Sequence, residues 1–201
     1  MKYLIIGHPR CGTGFMSKLF KHNGLDVGHE VKGKNGTSDW QYAIAKEKCF
    51  PWTTGSRDEH KFDMVIHNVR DPFTAIPSIV FTETPNVGER SWRTVSEQFR
   101  RNYVQFPDKN VFDNAAHSYL GWNKIIEDQD ISNKVVRIEN AMEDLNGELT
   151  EALNDKKVNS RKHADMTKSQ WLEISPEILT QLELFCIKYN YKSLKDRIKK
   201  L

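Results

Sequence analysis

The sequence predicts an α/β protein with a central parallel sheet of about four to five strands, flanked by helices in three layers. Short apolar runs that end at turn signals alternate along the chain with segments whose apolar residues recur at helical spacing. Strands that alternate with helices in this way typically form a parallel sheet covered on both faces. The length of 201 residues fits one domain, covering residues 1–201.

Four segments have the composition of buried strands, which are rich in apolar residues and bounded by turn signals. They are Tyr3 to Ile6, Leu25 to His29, Met64 to Val69 and Lys134 to Ile138. The glycines in the stretch from Lys32 to Asp39 indicate a loop. From this loop to His60, aromatic and polar residues are mixed without a regular hydrophobic periodicity, so no element is assigned there.

Apolar residues at helical spacing predict helices between and after these strands. Gly24 stands where the first helix would end, and Ser175 with Pro176 marks the start of the predicted final helix. The segment from Thr82 to Asp113 is predicted to be a surface-facing insertion. If the protein is a group-transfer enzyme, this segment is expected to recognise the acceptor substrate. The predicted helices are the segment around Phe15 to Phe20, Pro72 through Ile79, Val95 to Tyr103, Ala115 to Glu127, and the helix from Pro176.

Composition excludes several classes of protein. With 38% hydrophobic residues the chain is globular, and a net charge of +3 requires no polyanionic partner. The three cysteines are widely spaced, no stretch approaches a membrane span, and no signal peptide is recognisable. These features predict a cytoplasmic protein. An amphipathic surface helix accounts for the basic and aromatic stretch from Arg100 to Phe106, so we expect no nucleic-acid partner.

The stretch GHPRCGTGFM, from Gly7 to Met16, places glycines between a predicted strand and a predicted helix. Backbone N–H groups of such a loop, together with the helix N-terminus, can bind a phosphate. A Walker loop would carry Lys and then Ser or Thr where this chain has Thr13 and Gly14. The positive charge comes instead from Arg10, which suits a phosphate donor whose transfer does not rely on bound magnesium.

A second candidate anion site follows the predicted strand Met64 to Val69, in the stretch VRDPFTAIPS. Arg70 stands at the strand end, where an arginine can form charge-assisted bonds to a phosphate. Ser78, eight positions further on, can reach the same oxygens. The structural alternatives are an ion pair between Arg70 and Asp71 and a bond from Ser78 to its own helix backbone.

Both motifs, in this order and each after a predicted strand, resemble those of the sulfotransferase superfamily, which has a P-loop-like fold. Arg70 and Ser78 match the family's 3'-phosphate motif. In the 5'-phosphosulfate loop, Cys11 replaces the usual Ser and Gly14 the usual Thr, which weakens or removes side-chain contacts to the phosphate. The residues that match this loop are Pro9, Arg10, Cys11, Gly12, Thr13, Gly14 and Phe15.

A weaker similarity lies near the C-terminus, at Arg161 and Lys162. Cytosolic sulfotransferases carry an Arg-Lys-Gly loop that closes on the 3'-phosphate, and in this chain His163 replaces its glycine. A solvated basic loop is the alternative interpretation.

The resemblance implies transfer of a sulfuryl group from 3'-phosphoadenosine 5'-phosphosulfate (PAPS) to a hydroxyl or amine acceptor, with adenosine 3',5'-bisphosphate as product and without a metal ion. Arg10 would neutralise the oxygen that bridges sulfur and the leaving phosphate. A glutamate serves as the base in Golgi-type and several bacterial members, which favours Glu30. Its neighbour His29 is the alternative base, and for both residues a purely structural role is the other interpretation.

Two other functions fit parts of the sequence. A nucleotide kinase-like phosphoryl transferase shares the layout of strand, anion loop and helix, although the Walker lysine and hydroxyl are missing. A non-catalytic nucleotide-binding module is favoured by the substitutions at Cys11 and Gly14.

The loop from Lys32 to Trp40 is a candidate border of the acceptor pocket, with core packing of the Trp40 indole as the alternative. The class of acceptor and the oligomeric state are not specified.

Overall fold

The computed structural model describes residues 1–44, 56–83, 92–107, 110–153 and 163–201, with the backbone alone described for 92–95. In these ranges five strands form one sheet in the order β2-β3-β1-β4-β5, and every pair in it is parallel. The predicted α/β class, with a parallel sheet flanked by helices, is confirmed. The strands are β1 (Tyr3–Ile6), β2 (Val27–His29), β3 (Gly36–Ser38), β4 (Met64–Val69) and β5 (Lys134–Arg137).

The predicted helices are present with shifted ends. The helix from Pro176 is confirmed, but the prediction that it is the final one is wrong, because another helix follows it. Two short 3-10 turns, Trp40–Ala43 and Ile138–Asn140, follow β3 and β5. The helices are α1 (Thr13–His22), α2 (Arg57–His60), α3 (Pro72–Glu83), α4 (Trp92–Arg100), α5 (Val111–Asp128), α6 (Ala141–Asp144), α7 (Lys168–Trp171), α8 (Pro176–Lys188) and α9 (Leu194–Lys199).

Strand β3 lies where the sequence predicted a loop. It is only three residues long and has no apolar side chain, so it lacks the signal of a buried strand. Its buried hydroxyls bond to backbone instead: Thr37 Oγ1 donates to Val31 O over 2.9 Å, and Ser38 Oγ donates to Thr13 O over 2.8 Å. A Cβ at Gly36 would lie 1.9 Å from Tyr3 O, so glycine permits the close approach to β1.

The chain divides into two compact units, each built from two segments. The first, Met1–Arg70 with Asn123–Ser160, contains the whole sheet and α1. The second, Asp71–Trp122 with Arg161–Leu201, contains α3, α4, the first part of α5, and α7 to α9. The single domain over residues 1–201 stays a prediction. No helix in the described ranges is long and apolar enough to cross a membrane.

Helix α1 covers the sheet of the first unit with its apolar face. Its buried residues Met16, Leu19 and Phe20 pack in one core with residues from β1, β4 and β5. The helix ends at His22, and the predicted stop signal Gly24, with a φ of 76°, follows its C-cap Asn23. The N–H of Leu25 donates to Phe20 O and that of Gly24 to Lys21 O, the bonding pattern of a Schellman motif. This turn leads the chain directly into β2.

Part of the predicted surface-facing insertion is buried in the second unit. The Arg100 guanidinium is fully buried, pairs with the Glu83 carboxylate and donates to Ser118 Oγ over 2.9 Å. A buried charge is tolerated when it is paired and hydrogen-bonded, as here. The prediction is therefore wrong at Arg100, where α3, α4 and α5 are joined. Residues 84–91 and 108–109 of the insertion lie outside the described residues.

Candidate functional site

The carboxyl ends of all five strands meet at one edge of the sheet, because the strands are parallel. The strand order places β1 between β3 and β4, so the chain crosses β1 when it passes from β3 to β4. Ligands of open parallel sheets bind outside the carboxyl ends at such a reversal of strand order. The residues that follow β1, β2, β3 and β4 at this edge are Gly7, Glu30, Asp39 and Arg70.

The loop after β1 has the backbone geometry of an anion site. Gly12, the N-cap of α1, has a left-handed φ of 83°, and a Cβ there would lie 1.6 Å from Ile138 Cδ1. Among the described residues no side chain caps α1, so its first-turn N–H groups, which lack intrahelical acceptors, can donate to a bound anion. His8 fixes the loop by accepting from Cys11 N at its carbonyl and from Arg10 N at Nδ1.

Cys11 belongs to the core of this loop. Burial raises the pKa of its thiol to about 12, an effect that the Arg70 guanidinium only partly offsets. The thiol is therefore neutral and fully buried. Asn68 Nδ2 donates to Cys11 O over 2.5 Å and ties the loop to β4. Anion contacts at this position would come from the backbone.

Arg70 contacts the anion loop directly. Its Nη1 donates to Arg10 O over 3.0 Å, which brings the backbone of one predicted cationic residue to the guanidinium of the other. Asp71, the alternative partner of Arg70, accepts hydrogen bonds within the second unit from Arg197 Nη1 and Nη2, at 2.5 and 2.9 Å. Sequence reasoning assigned Arg70 to a second phosphate and did not foresee its bond to the loop.

The remaining predicted phosphate ligands are Ser78, Arg161 and Lys162. Ser78 lies in α3 of the second unit and is 1% exposed. Its carbonyl accepts from Thr82 Oγ1. Arg161 and Lys162 lie outside the described residues. These three assignments stay predictions.

The candidate base His29 lies beside the start of α1, and the other candidate, Glu30, lies beside His29. His29 Nε2 is 3.2 Å from Thr13 Oγ1 and 3.9 Å from Glu30 Oε1. The His29 and Glu30 side chains are 37% and 45% exposed, so both are accessible to a reactant. Glu30 Oε1 also accepts a hydrogen bond from Trp40 Nε1 over 3.2 Å. The structure thus joins the ends of β2 and β3 to the first residue of the helix that follows the anion loop.

The protonation states at this edge follow from burial and from neighbouring charges. Burial lowers the pKa of His29 more than the Glu30 carboxylate raises it, and the Lys21 ammonium lowers it further. The imidazole is therefore neutral at pH 7 and able to accept a proton. Burial also raises the pKa of Asp39 to about 7; the Gln41 N–H opposes this rise and the Glu30 carboxylate adds to it. Sequence reasoning missed Asp39 because it missed β3.

Glu30 adopts a backbone conformation that is rare for its residue type. Its φ is 54°, in the left-handed region, and its N–H donates to Ser38 O over 3.1 Å. A non-glycine residue in this region costs about 1 kcal/mol or more and often marks a functional position. In the described ranges no ion pair joins Glu30 to Lys32 or Lys34, and Lys32 Nζ lies 3.0 Å from His60 Nδ1. A purely structural role for Glu30 as the ion-pair partner of either lysine is thus not supported in these ranges.

Comparisons with known proteins give no guide to the function. No family model matches the chain, and neither a curated protein nor a solved structure matches it. Among the side chains that the structure describes, no group of three or more His, Cys, Asp or Glu could hold a metal ion. The function of this edge is therefore inferred from its residues and their geometry.

Proposed function

We propose that this chain is a sulfotransferase that transfers a sulfuryl group from PAPS to a hydroxyl or amine acceptor. One observation carries the proposal: His29, the neighbour of Glu30, lies 3.2 Å from the hydroxyl of Thr13, the first residue of α1. An anion at the N-terminus of α1 and a base that activates the acceptor would thus be neighbours. A loop that only shapes a turn has no need of this arrangement.

In the proposed reaction the acceptor oxygen or nitrogen attacks sulfur, and the bond between sulfur and the 5'-phosphate oxygen breaks. The electron pair of that bond stays on the phosphate oxygen, and the acceptor proton passes to Glu30 or, in the alternative, to His29. Arg10 and the first-turn N–H groups of α1 neutralise the charge on the leaving phosphate. The products are the sulfated acceptor and adenosine 3',5'-bisphosphate.

The 3'-phosphate is assigned to Arg70, as the family resemblance implies. A guanidinium can donate several hydrogen bonds at once, so the bond from Nη1 to Arg10 O is compatible with a contact from the same side chain to a phosphate. Arg70 would then contact the 3'-phosphate while it supports the loop that binds the 5'-phosphate. The proposal thus gives Arg70 two roles in donor binding.

Release of sulfur from sulfur-labelled PAPS tests this function without knowledge of the acceptor. Water can replace the acceptor, so we expect the wild-type chain to release labelled sulfate slowly, and faster when a suitable sugar, lipid, peptide or phenol is added. Phosphorus-labelled ATP with magnesium should yield no phosphoryl transfer to the same compounds. Phosphoryl transfer from ATP, with PAPS left intact, would instead support the kinase interpretation.

A further inference from the structure

The Trp40 indole is fixed by burial, whereas the carboxylate that it contacts is accessible. Trp40 is 3% exposed and begins the 3-10 turn after β3, while the Glu30 side chain is 45% exposed. A buried indole N–H usually finds a hydrogen-bond partner, and here that partner is Glu30 Oε1 at 3.2 Å. In the described residues no hydrogen bond engages the second oxygen, Oε2. The two oxygens of the carboxylate therefore have different surroundings.

We propose that Trp40 is a positioning residue for the sulfuryl transfer: it holds Oε1 of Glu30 and leaves Oε2 to take the acceptor proton. This inference rests on the proposed function and on Glu30 as its base. Trp40 itself would contact neither the donor nor the acceptor. Its contribution is to restrict a half-exposed side chain, which would otherwise sample several rotamers, to one that reaches the reacting atoms.

A hydrogen bond from its backbone also fixes the position of Glu30. Its N–H donates to Ser38 O over 3.1 Å, and Ser38 Oγ donates to Thr13 O over 2.8 Å. The main chain and the side chain of Glu30 are thus both attached to the segment from Ser38 to Trp40. Because that segment is itself bonded to Thr13, the carboxylate is held in register with the N-terminus of α1.

A neutral hydrogen-bond donor suits the orientation of the Glu30 carboxylate better than a cation does. An ammonium or guanidinium group in place of the indole would stabilise the carboxylate strongly and reduce its tendency to take a proton. The ionisable groups around this carboxylate are His29, at 3.9 Å, and Asp39, and Lys21 acts on His29. The indole orients the carboxylate without adding a charge to this set.

Trp40→Phe should lower kcat for sulfate release from labelled PAPS by about tenfold, the scale of one lost hydrogen bond to a charged group. Phe keeps most of the buried ring, so KM for PAPS and the melting temperature should change little. Trp122→Phe is the matched control: it removes a buried indole from the second unit and should leave kcat unchanged.

Nuclear magnetic resonance of the nitrogen-labelled chain tests the contact without turnover. Trp40→Phe removes one indole signal and so identifies it; in Glu30→Ala this signal should move, because the indole N–H loses its acceptor. Glu30→Gln keeps an acceptor oxygen and should move the signal less. The positioning role is overturned if the signal is unchanged in Glu30→Ala, or if Trp40→Phe releases sulfate at the wild-type rate. A wild-type chain that binds adenosine 3',5'-bisphosphate but releases no sulfate would overturn the proposed function itself.

Discussion

Glu30→Gln should reduce sulfuryl transfer from PAPS by about a hundredfold to ten-thousandfold, the usual cost of losing a general base. Glutamine keeps the shape of the side chain and can still accept the Trp40 indole N–H, but it cannot take the acceptor proton. Binding of adenosine 3',5'-bisphosphate should survive, because the phosphates are assigned to other residues. The measurements are kcat with labelled PAPS and the bisphosphate affinity by calorimetry.

The matched variant for this experiment is His29→Ala. It removes the imidazole that lies 3.2 Å from Thr13 Oγ1, together with the alternative base. Melting temperatures of both variants near that of the wild type would show that neither change acts through unfolding. If Glu30→Gln turns over normally while His29→Ala is inactive with intact bisphosphate affinity, His29 is the base. If both variants are fully active, neither residue is catalytic.

Arg70→Ala should weaken the binding of adenosine 3',5'-bisphosphate by about tenfold to a hundredfold, the scale of losing a charge-assisted contact of roughly 1.5–3 kcal/mol. Two contributions are lost together, the proposed contact to the 3'-phosphate and the bond from Nη1 to Arg10 O. AMP has no 3'-phosphate, so its affinity should fall less. Calorimetry with both ligands separates the two contributions.

Arg101→Ala is a suitable control for that measurement. Arg101 lies in the second unit, where it pairs with Glu97 and stacks on Phe106, and its loss should leave both affinities unchanged. Equal losses for the bisphosphate and for AMP in Arg70→Ala would mean that Arg70 supports the loop and does not bind the 3'-phosphate. A larger loss for the bisphosphate supports the assignment.

The sequence predicted those parts of the fold whose signal is local. Strands β1 and β4 match their predicted bounds to the residue, because each is a segment rich in apolar residues that ends at a turn signal. Strand β3 was not predictable in this way, since three small or polar residues carry no hydrophobic pattern. Its position is determined by close packing of Gly36 on β1 and by hydroxyl bonds to backbone that only the folded sheet provides.

In the candidate site, too, the residues with a local sequence signal were predictable and the contacts between them were not. The anion loop, Arg70 and the pair at the end of β2 were recognisable because each directly follows a predicted strand. The contacts that join them were not, since they depend on β3: Trp40 reaches Glu30 only because β3 lies beside β2. Likewise, nothing near Arg100 in sequence indicated that it is buried, because its carboxylate partner Glu83 lies 17 residues away.

The donor identity is tested most directly by the relative affinities of adenosine 3',5'-bisphosphate, AMP and ATP, measured by calorimetry with and without magnesium. The account predicts that the bisphosphate binds far more tightly than AMP or ATP and that magnesium makes no difference. The reason is that only the bisphosphate offers one phosphate to the loop around Arg10 and another to Arg70. Equal or tighter binding of ATP, strengthened by magnesium, would contradict the account.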